Sequence, residues 1–93
     1  MEDIERMAAT IHRHRDEDHE KIRTMLAALR VPDIAEVLNA VPSLEETAEV
    51  LTLMPLPRAV DVCDQPTLHR RGAILEQLPP ELAAKILDAM ASD

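Results

Sequence analysis

The chain contains no phenylalanine, tyrosine or tryptophan among its 93 residues. Because aromatic rings bury more area than other side chains, the core has to be built from leucine, isoleucine, valine, methionine and alanine. A chain of this length buries only about 60–65% of the surface that its unfolded form exposes. We therefore expect one small domain of modest stability, with no aromatic platform on which bases or sugars could stack.

Cysteine and long apolar runs are also scarce. Cys63 is the only cysteine, which excludes an internal disulfide and fits a reducing compartment. No run approaches the roughly 18 apolar residues of a membrane span, and the charged start MEDIER lacks the apolar stretch of a secretory signal. We therefore expect a cytosolic segment that does not itself insert into a membrane.

Positive charge is in short supply, since 18 acidic residues face 10 basic ones and the formal net charge is −8. The imbalance lies in one part of the chain: residues 1–30 carry 7 acids and 6 bases, whereas residues 31–93 carry 11 acids and 4 bases. Such a field repels phosphate backbones. This argues against nucleic acid as a partner and favours cations or basic protein surfaces.

Glycine occurs once, but proline occurs seven times and belongs to an internal repeat. An adjacent apolar pair recurs about every 12 residues, and a proline follows each of the first four pairs by three or four residues. Proline suits the first turn of a helix and also ends the helix before it. The pattern predicts an all-α fold of short helices of about 9 or 10 residues, stacked into a short right-handed, solenoid-like superhelix. The five pairs are Val37-Leu38, Val50-Leu51, Val62-Cys63, Ile74-Leu75 and Ile86-Leu87.

The repeat divides the chain into residues 1–30, a helix or helix pair, and residues 31–93, an array of about five short helices, together one domain. In the first part we favour two helices with a break near Asp16 to Asp18, where aspartate serves as an N-cap. In the second part, Ser43 and Glu46 form a capping box. Gly72 marks either a close helix contact or a tolerated defect. The final MASD resembles the opening of another unit, so we expect a fragment of a longer protein.

The side chains offer little for catalysis, and we predict no enzyme. His12, Asp16 and His19 would share one face of a continuous helix and could then hold a transition metal. We favour a solvated face or an inter-helix link for the polar segment that contains them and His14, because the metal site needs a continuous helix where we expect a break. Cys63 takes the position that leucine holds in other units, so we interpret it as a small buried hydrophobe rather than a catalytic thiol. No phosphate-binding loop, zinc spacing or nucleophile–base arrangement is present.

Read continuously, PDIAEVLNAVP, LMPLPRAVDV and EQLPPELAAKILDAMASD resemble the cytosolic N-terminal domain of the MgtE family of magnesium channels and transporters. In that family a "PxDIAELLEELP" unit is followed by "LLPxxxAAEVL" and "LPPExAAEILEEM" units and then by "SPDDAADLL". The resemblance covers roughly Asp16 to Asp93 and keeps the unit lengths throughout.

The resemblance implies a regulatory domain on the cytoplasmic face of the cell membrane. It would be followed by CBS modules and a membrane-spanning region in the same polypeptide, and the full-length protein would be a homodimer. Intracellular Mg²⁺ would be sensed by carboxylates at the interface with the CBS modules. Carried across residue by residue, the acid of "AAEVL" falls on Asp61 and the first aspartate after "EEM" falls on Asp93.

A second interpretation comes from another class of protein. Short helices that begin at prolines also resemble the armadillo-like segments of the flagellar rotor protein FliG, so the chain could be a scaffold for protein interactions. A docking surface should show an apolar or mixed-charge patch, whereas an ion sensor should show acids that face a gap. The charge balance of residues 31–93 favours the sensor.

Overall fold

The structure is a computed structural model that describes residues 2–14 and 17–91. Within these ranges the chain forms seven α-helices and no strand, which confirms the all-α prediction. In chain order the helices are α1 (Glu2–His14), α2 (His19–Ala27), α3 (Val31–Ala40), α4 (Leu44–Thr52), α5 (Leu56–Cys63), α6 (Arg71–Gln77) and α7 (Pro80–Ala91).

Capping residues and prolines set most of the helix starts. The break between α1 and α2 is present, and the Asp18 carboxylate caps α2 by accepting a hydrogen bond from the Lys21 amide. Helices α3 and α5 carry a proline in their first turn, and α7 begins at one. Helix α4 begins after Ser43, whose hydroxyl accepts a hydrogen bond from the Glu46 amide at 3.3 Å. Local sequence therefore explains where these helices begin.

Helix α6 is an exception. The repeat predicts a helix start at Pro66, the proline that follows the Val62-Cys63 pair, but the helix begins at Arg71, so this prediction is wrong. The Asn39 amide on α3 donates to the Thr67 carbonyl and accepts from the His69 amide, both at 2.8 Å. Arg70 then takes the left-handed backbone conformation, with φ of 61°. Hydrogen bonds to a distant helix thus hold this segment in turns.

Four of the helices pack mainly against the helix two places further along the chain. Helix α1 packs on α3, α3 on α5, α5 on α7, and α4 on α6. Helix α1 also contacts α2 and α4, and α6 contacts α7. The stacked helices enclose an aliphatic core, and the described part of the chain measures 34 × 25 × 21 Å. The superhelical winding predicted from the repeat stays a prediction.

The apolar pairs form much of this core, with one clear departure. Cys63 is fully buried among apolar side chains, which confirms its interpretation as a small hydrophobe. Leu87, expected in the core with Ile86, is 51% exposed, so that expectation is wrong. Successive helical residues are about 100° apart, since 3.6 residues make one turn. Ile86 faces the core while Leu87 points away from it.

Gly72 is exposed within α6, and a Cβ added there would meet no atom within 4 Å. Of the two interpretations left open, close helix contact is therefore excluded. The glycine is a tolerated defect in the helix.

Candidate functional site

Asp61 lies on α5 with an exposed side chain. Its main-chain carbonyl accepts a hydrogen bond from Gln65 Nε2 at 3.4 Å. Among residues 4–14 and 17–91, its carboxylate has no hydrogen bond or ion pair. Asp93, the second predicted ligand, lies outside the described residues. The structure thus places one predicted carboxylate on an open helix surface and does not test the pairing of the two.

Three arginines of residues 31–93 donate hydrogen bonds to the main chain. The Arg58 guanidinium, also on α5, reaches the end of α2, where Nη2 donates to the Leu26 carbonyl at 3.2 Å and to the Leu29 carbonyl at 2.7 Å. The last carbonyls of a helix lack partners within the helix and carry partial negative charge. Arg58 therefore caps the C-terminal end of a helix that lies about 30 residues earlier in the chain.

Arg70 repeats this arrangement one step along the stack. Its Nη2 donates to the Val41 carbonyl at 2.9 Å and to the Leu38 carbonyl at 3.3 Å, at the end of α3. Arg71 donates to the Gln65 carbonyl at 2.9 Å, just beyond the end of α5. Three of the four basic residues in 31–93 thus donate to carbonyl oxygens. Sequence reasoning missed this role, which depends on contacts between distant residues.

A histidine of α1 and a buried acid of α4 also meet. His12 Nδ1 lies 2.6 Å from Glu46 Oε2 and joins α1 to α4. Glu46 also lines a cavity of about 90 Å³ together with His19 and Glu49. The capping-box prediction is correct for the Ser43 hydroxyl, while the Glu46 carboxylate binds a different helix.

The transition-metal hypothesis required one continuous helix through His12, Asp16 and His19. The structure does not provide it, since α1 ends at His14 and α2 begins at His19, and Asp16 lies outside the described residues. Within the described ranges, no three side chains of histidine, cysteine, aspartate or glutamate form a group that could hold a metal ion.

Burial raises the pKa of the Cys63 thiol above its ordinary value of 9.0, and the positive charge of Arg71 offsets part of this increase. A reactive cysteine needs a lowered pKa and access to solvent. Cys63 has neither, which favours its structural role.

The chemistry of the acids suits a hard cation. Mg²⁺ takes oxygen ligands and is often bound by one or two carboxylates plus water. Asp61 offers one such carboxylate on an exposed surface. Because the described residues form no complete metal-binding group, a Mg²⁺ ion at Asp61 would need water or further side chains as its other ligands.

The fold and this surface define an acidic, all-α domain of short stacked helices. The family model of the MgtE intracellular N domain matches residues 29–93, and the chain therefore belongs to that family. The match confirms the resemblance drawn from the repeat units. No curated protein and no solved structure matches the chain. No helix in the described ranges combines the length and apolarity needed to cross a membrane.

Proposed function

We propose that this chain is a regulatory domain of a magnesium channel or transporter and that it senses intracellular Mg²⁺ through surface carboxylates. The observation that carries the proposal is the match to the MgtE intracellular N domain over residues 29–93. The same residues hold most of the acid excess of the chain.

The arrangement of the arginines supports this function. A basic residue beside a carboxylate would neutralise it and weaken its attraction for a cation. Arg58, Arg70 and Arg71 instead donate to main-chain carbonyls at helix ends. This capping stabilises the stack and leaves the Asp61 carboxylate without a basic partner among the described residues.

The proposed regulation depends on repulsion between carboxylates. Asp61 and Asp93 would face acids on CBS modules of the same polypeptide, on the cytoplasmic side of a homodimeric membrane protein. Facing carboxylates repel one another and favour separation of the domains. Bound Mg²⁺ supplies positive charge that offsets this repulsion. If the closed arrangement binds the ion better, a rise in Mg²⁺ shifts the population toward it and reduces ion flux.

Limited proteolysis of the polypeptide that carries this domain with its proposed CBS modules tests the regulation. We expect Mg²⁺ to protect the inter-domain segment from cleavage, and the Asp61→Ala and Asp93→Ala double variant to need more Mg²⁺ for the same protection. A matched control replaces Asp64, exposed just after α5, and Asp33 on α3 with alanine. Equal Mg²⁺ dependence in the double variant and the wild type would refute the assignment of Asp61 and Asp93 as Mg²⁺ ligands.

A further inference from the structure

A groove lies between α2 and the turn that joins α4 to α5, and the function proposed above does not use it. Its volume is about 220 Å³. The stack is less tightly closed here than further along the chain, where α4 packs closely on α6. Within the described residues, the main chain of α2 comes close over several residues only to that of α1. The groove therefore follows from the way in which α2 is seated on the stack.

The groove has an apolar lining. Five apolar residues contribute to it, of which two are buried, one is half-buried and two are exposed: Leu26 and Met54, Leu53, and Ala27 and Pro55. Methionine adapts its shape to an inserted side chain more readily than branched residues do. Pockets for small molecules usually have volumes of about 300–1,000 Å³. This smaller groove suits a single side chain of a partner whose main chain stays outside it.

Two arginines, Arg23 on α2 and Arg58 on α5, also line the groove, and none of its described lining residues is acidic. The Arg23 side chain is 50% exposed, and its 3.3 Å contact with the exposed Glu20 is of a kind that contributes little stability. Both described hydrogen bonds of Arg58 use Nη2, so its guanidinium has further N–H groups to donate. In a molecule with a net charge of −8, the groove is thus a local positive site.

We propose that this groove binds a segment of a partner protein in which carboxylates flank one apolar side chain. The apolar side chain enters the groove against Leu26 and Met54, and the carboxylates pair with Arg23 and Arg58. Arginine binds carboxylates through two parallel hydrogen bonds, which suits it to this kind of recognition. Complementarity of charge identifies the partner as acidic, because both arginines would repel a basic segment.

The α2 side of the groove lies before residue 29, where the matched family region begins. Arg23 and Leu26 therefore belong to the part of the chain outside that region, and the proposal does not depend on magnesium sensing. The groove is small and Arg23 is solvated, so its ion pairs are weakened by water. We expect a dissociation constant of about 1 mM for a short peptide.

An amide NMR titration of the chain with the peptide acetyl-EALEE-amide, at constant ionic strength, tests the proposal. We expect saturable shifts of the amides of Arg23, Ala27 and Leu53. Two matched peptides separate the two contributions: acetyl-KALKK-amide reverses the charge and acetyl-EASEE-amide removes the apolar side chain. Each should bind at least about tenfold more weakly than acetyl-EALEE-amide.

Two substitutions at exposed lining residues test the location of the site. Arg23→Glu should abolish binding of acetyl-EALEE-amide, and Ala27→Leu should weaken it by filling part of the groove without a change of charge. Arg13→Glu, the same charge change at an exposed residue of α1, is the control and should bind like the wild type. Amide spectra that are unchanged away from each substitution show that the variants keep the fold.

Three results would overturn the proposal. One is a wild-type chain without saturable shifts at peptide concentrations of about 10 mM, well above the expected dissociation constant. Another is equal binding of either control peptide, which would indicate a general apolar surface for acetyl-KALKK-amide or a site for anions alone for acetyl-EASEE-amide. The third is an Arg23→Glu variant that binds acetyl-EALEE-amide as tightly as the wild type does.

Discussion

His12 Nδ1 lies 2.6 Å from Oε2 of Glu46, a carboxylate that is only 2% exposed, whereas the His12 side chain is 72% exposed. The histidine belongs to α1, before the matched family region begins at residue 29, and the glutamate lies within that region. A hydrogen bond that involves a charged group is stronger than one between neutral groups. This contact therefore helps to fix α1 on the family domain.

Replacement of His12 by alanine should lower the free energy of unfolding by about 1–2 kcal/mol, because a buried carboxylate loses one hydrogen-bond partner. Urea unfolding followed by circular dichroism measures the difference. His14→Ala is the matched control, since His14 is also on α1 and no hydrogen bond of its ring is described. Equal losses in the two variants would contradict a specific role for the His12 contact.

Arg58→Met should also destabilise the fold by about 1–2 kcal/mol, because two carbonyls at the end of α2 lose a charged donor while the apolar part of the side chain is kept. The same substitution at Lys85, an exposed residue of α7, should change stability by less than about 0.5 kcal/mol. The two midpoints of urea unfolding give the comparison. If both variants unfold alike, Arg58 does not contribute as a helix cap.

Cys63 should make stability depend on pH in the alkaline range. Because burial raises the pKa of its thiol above 9.0, the unfolded chain ionises first as the pH rises. The contribution of Cys63 is therefore complete below pH 9.0 and decreases above it, by up to about 1.4 kcal/mol per pH unit. Unfolding of the wild type and of Cys63→Ala at several pH values should show this additional loss in the wild type alone. Parallel pH profiles would show that the thiol is not the cause.

Gly72→Ala should raise the free energy of unfolding by about 0.5–1 kcal/mol, since alanine favours the helix and its Cβ meets no neighbour within 4 Å. Thermal unfolding by circular dichroism measures the gain. A lower melting temperature would indicate that the glycine is needed for a contact or a local distortion.

The sequence predicted those parts of the fold that depend on neighbours in the chain. Pro32, Pro57 and Pro80 lie in the first turns of α3, α5 and α7, and Ser43 caps α4. Each acts within its own first turn, so local patterns sufficed.

Contacts between distant residues account for what the sequence did not predict. The start of α6 depends on Asn39, which holds Thr67 and His69 from 28 and 30 residues away. The partner of His12 is 34 residues away, and no local motif identifies it. The candidate site was likewise not predictable from local sequence patterns. Asp61 was identified through the family resemblance, and the capping arginines were not predicted.

An amide NMR titration with MgCl₂ at constant ionic strength, performed on the polypeptide that carries this domain with its proposed CBS modules, tests the central claim most directly, because NMR detects binding even in the range of about 1 mM. The account predicts saturable shifts that centre on α5 around Asp61, and their loss in Asp61→Asn but not in Asp64→Asn. Shifts that NaCl of equal ionic strength reproduces, or that persist unchanged in Asp61→Asn, would contradict a magnesium-sensing role for this surface.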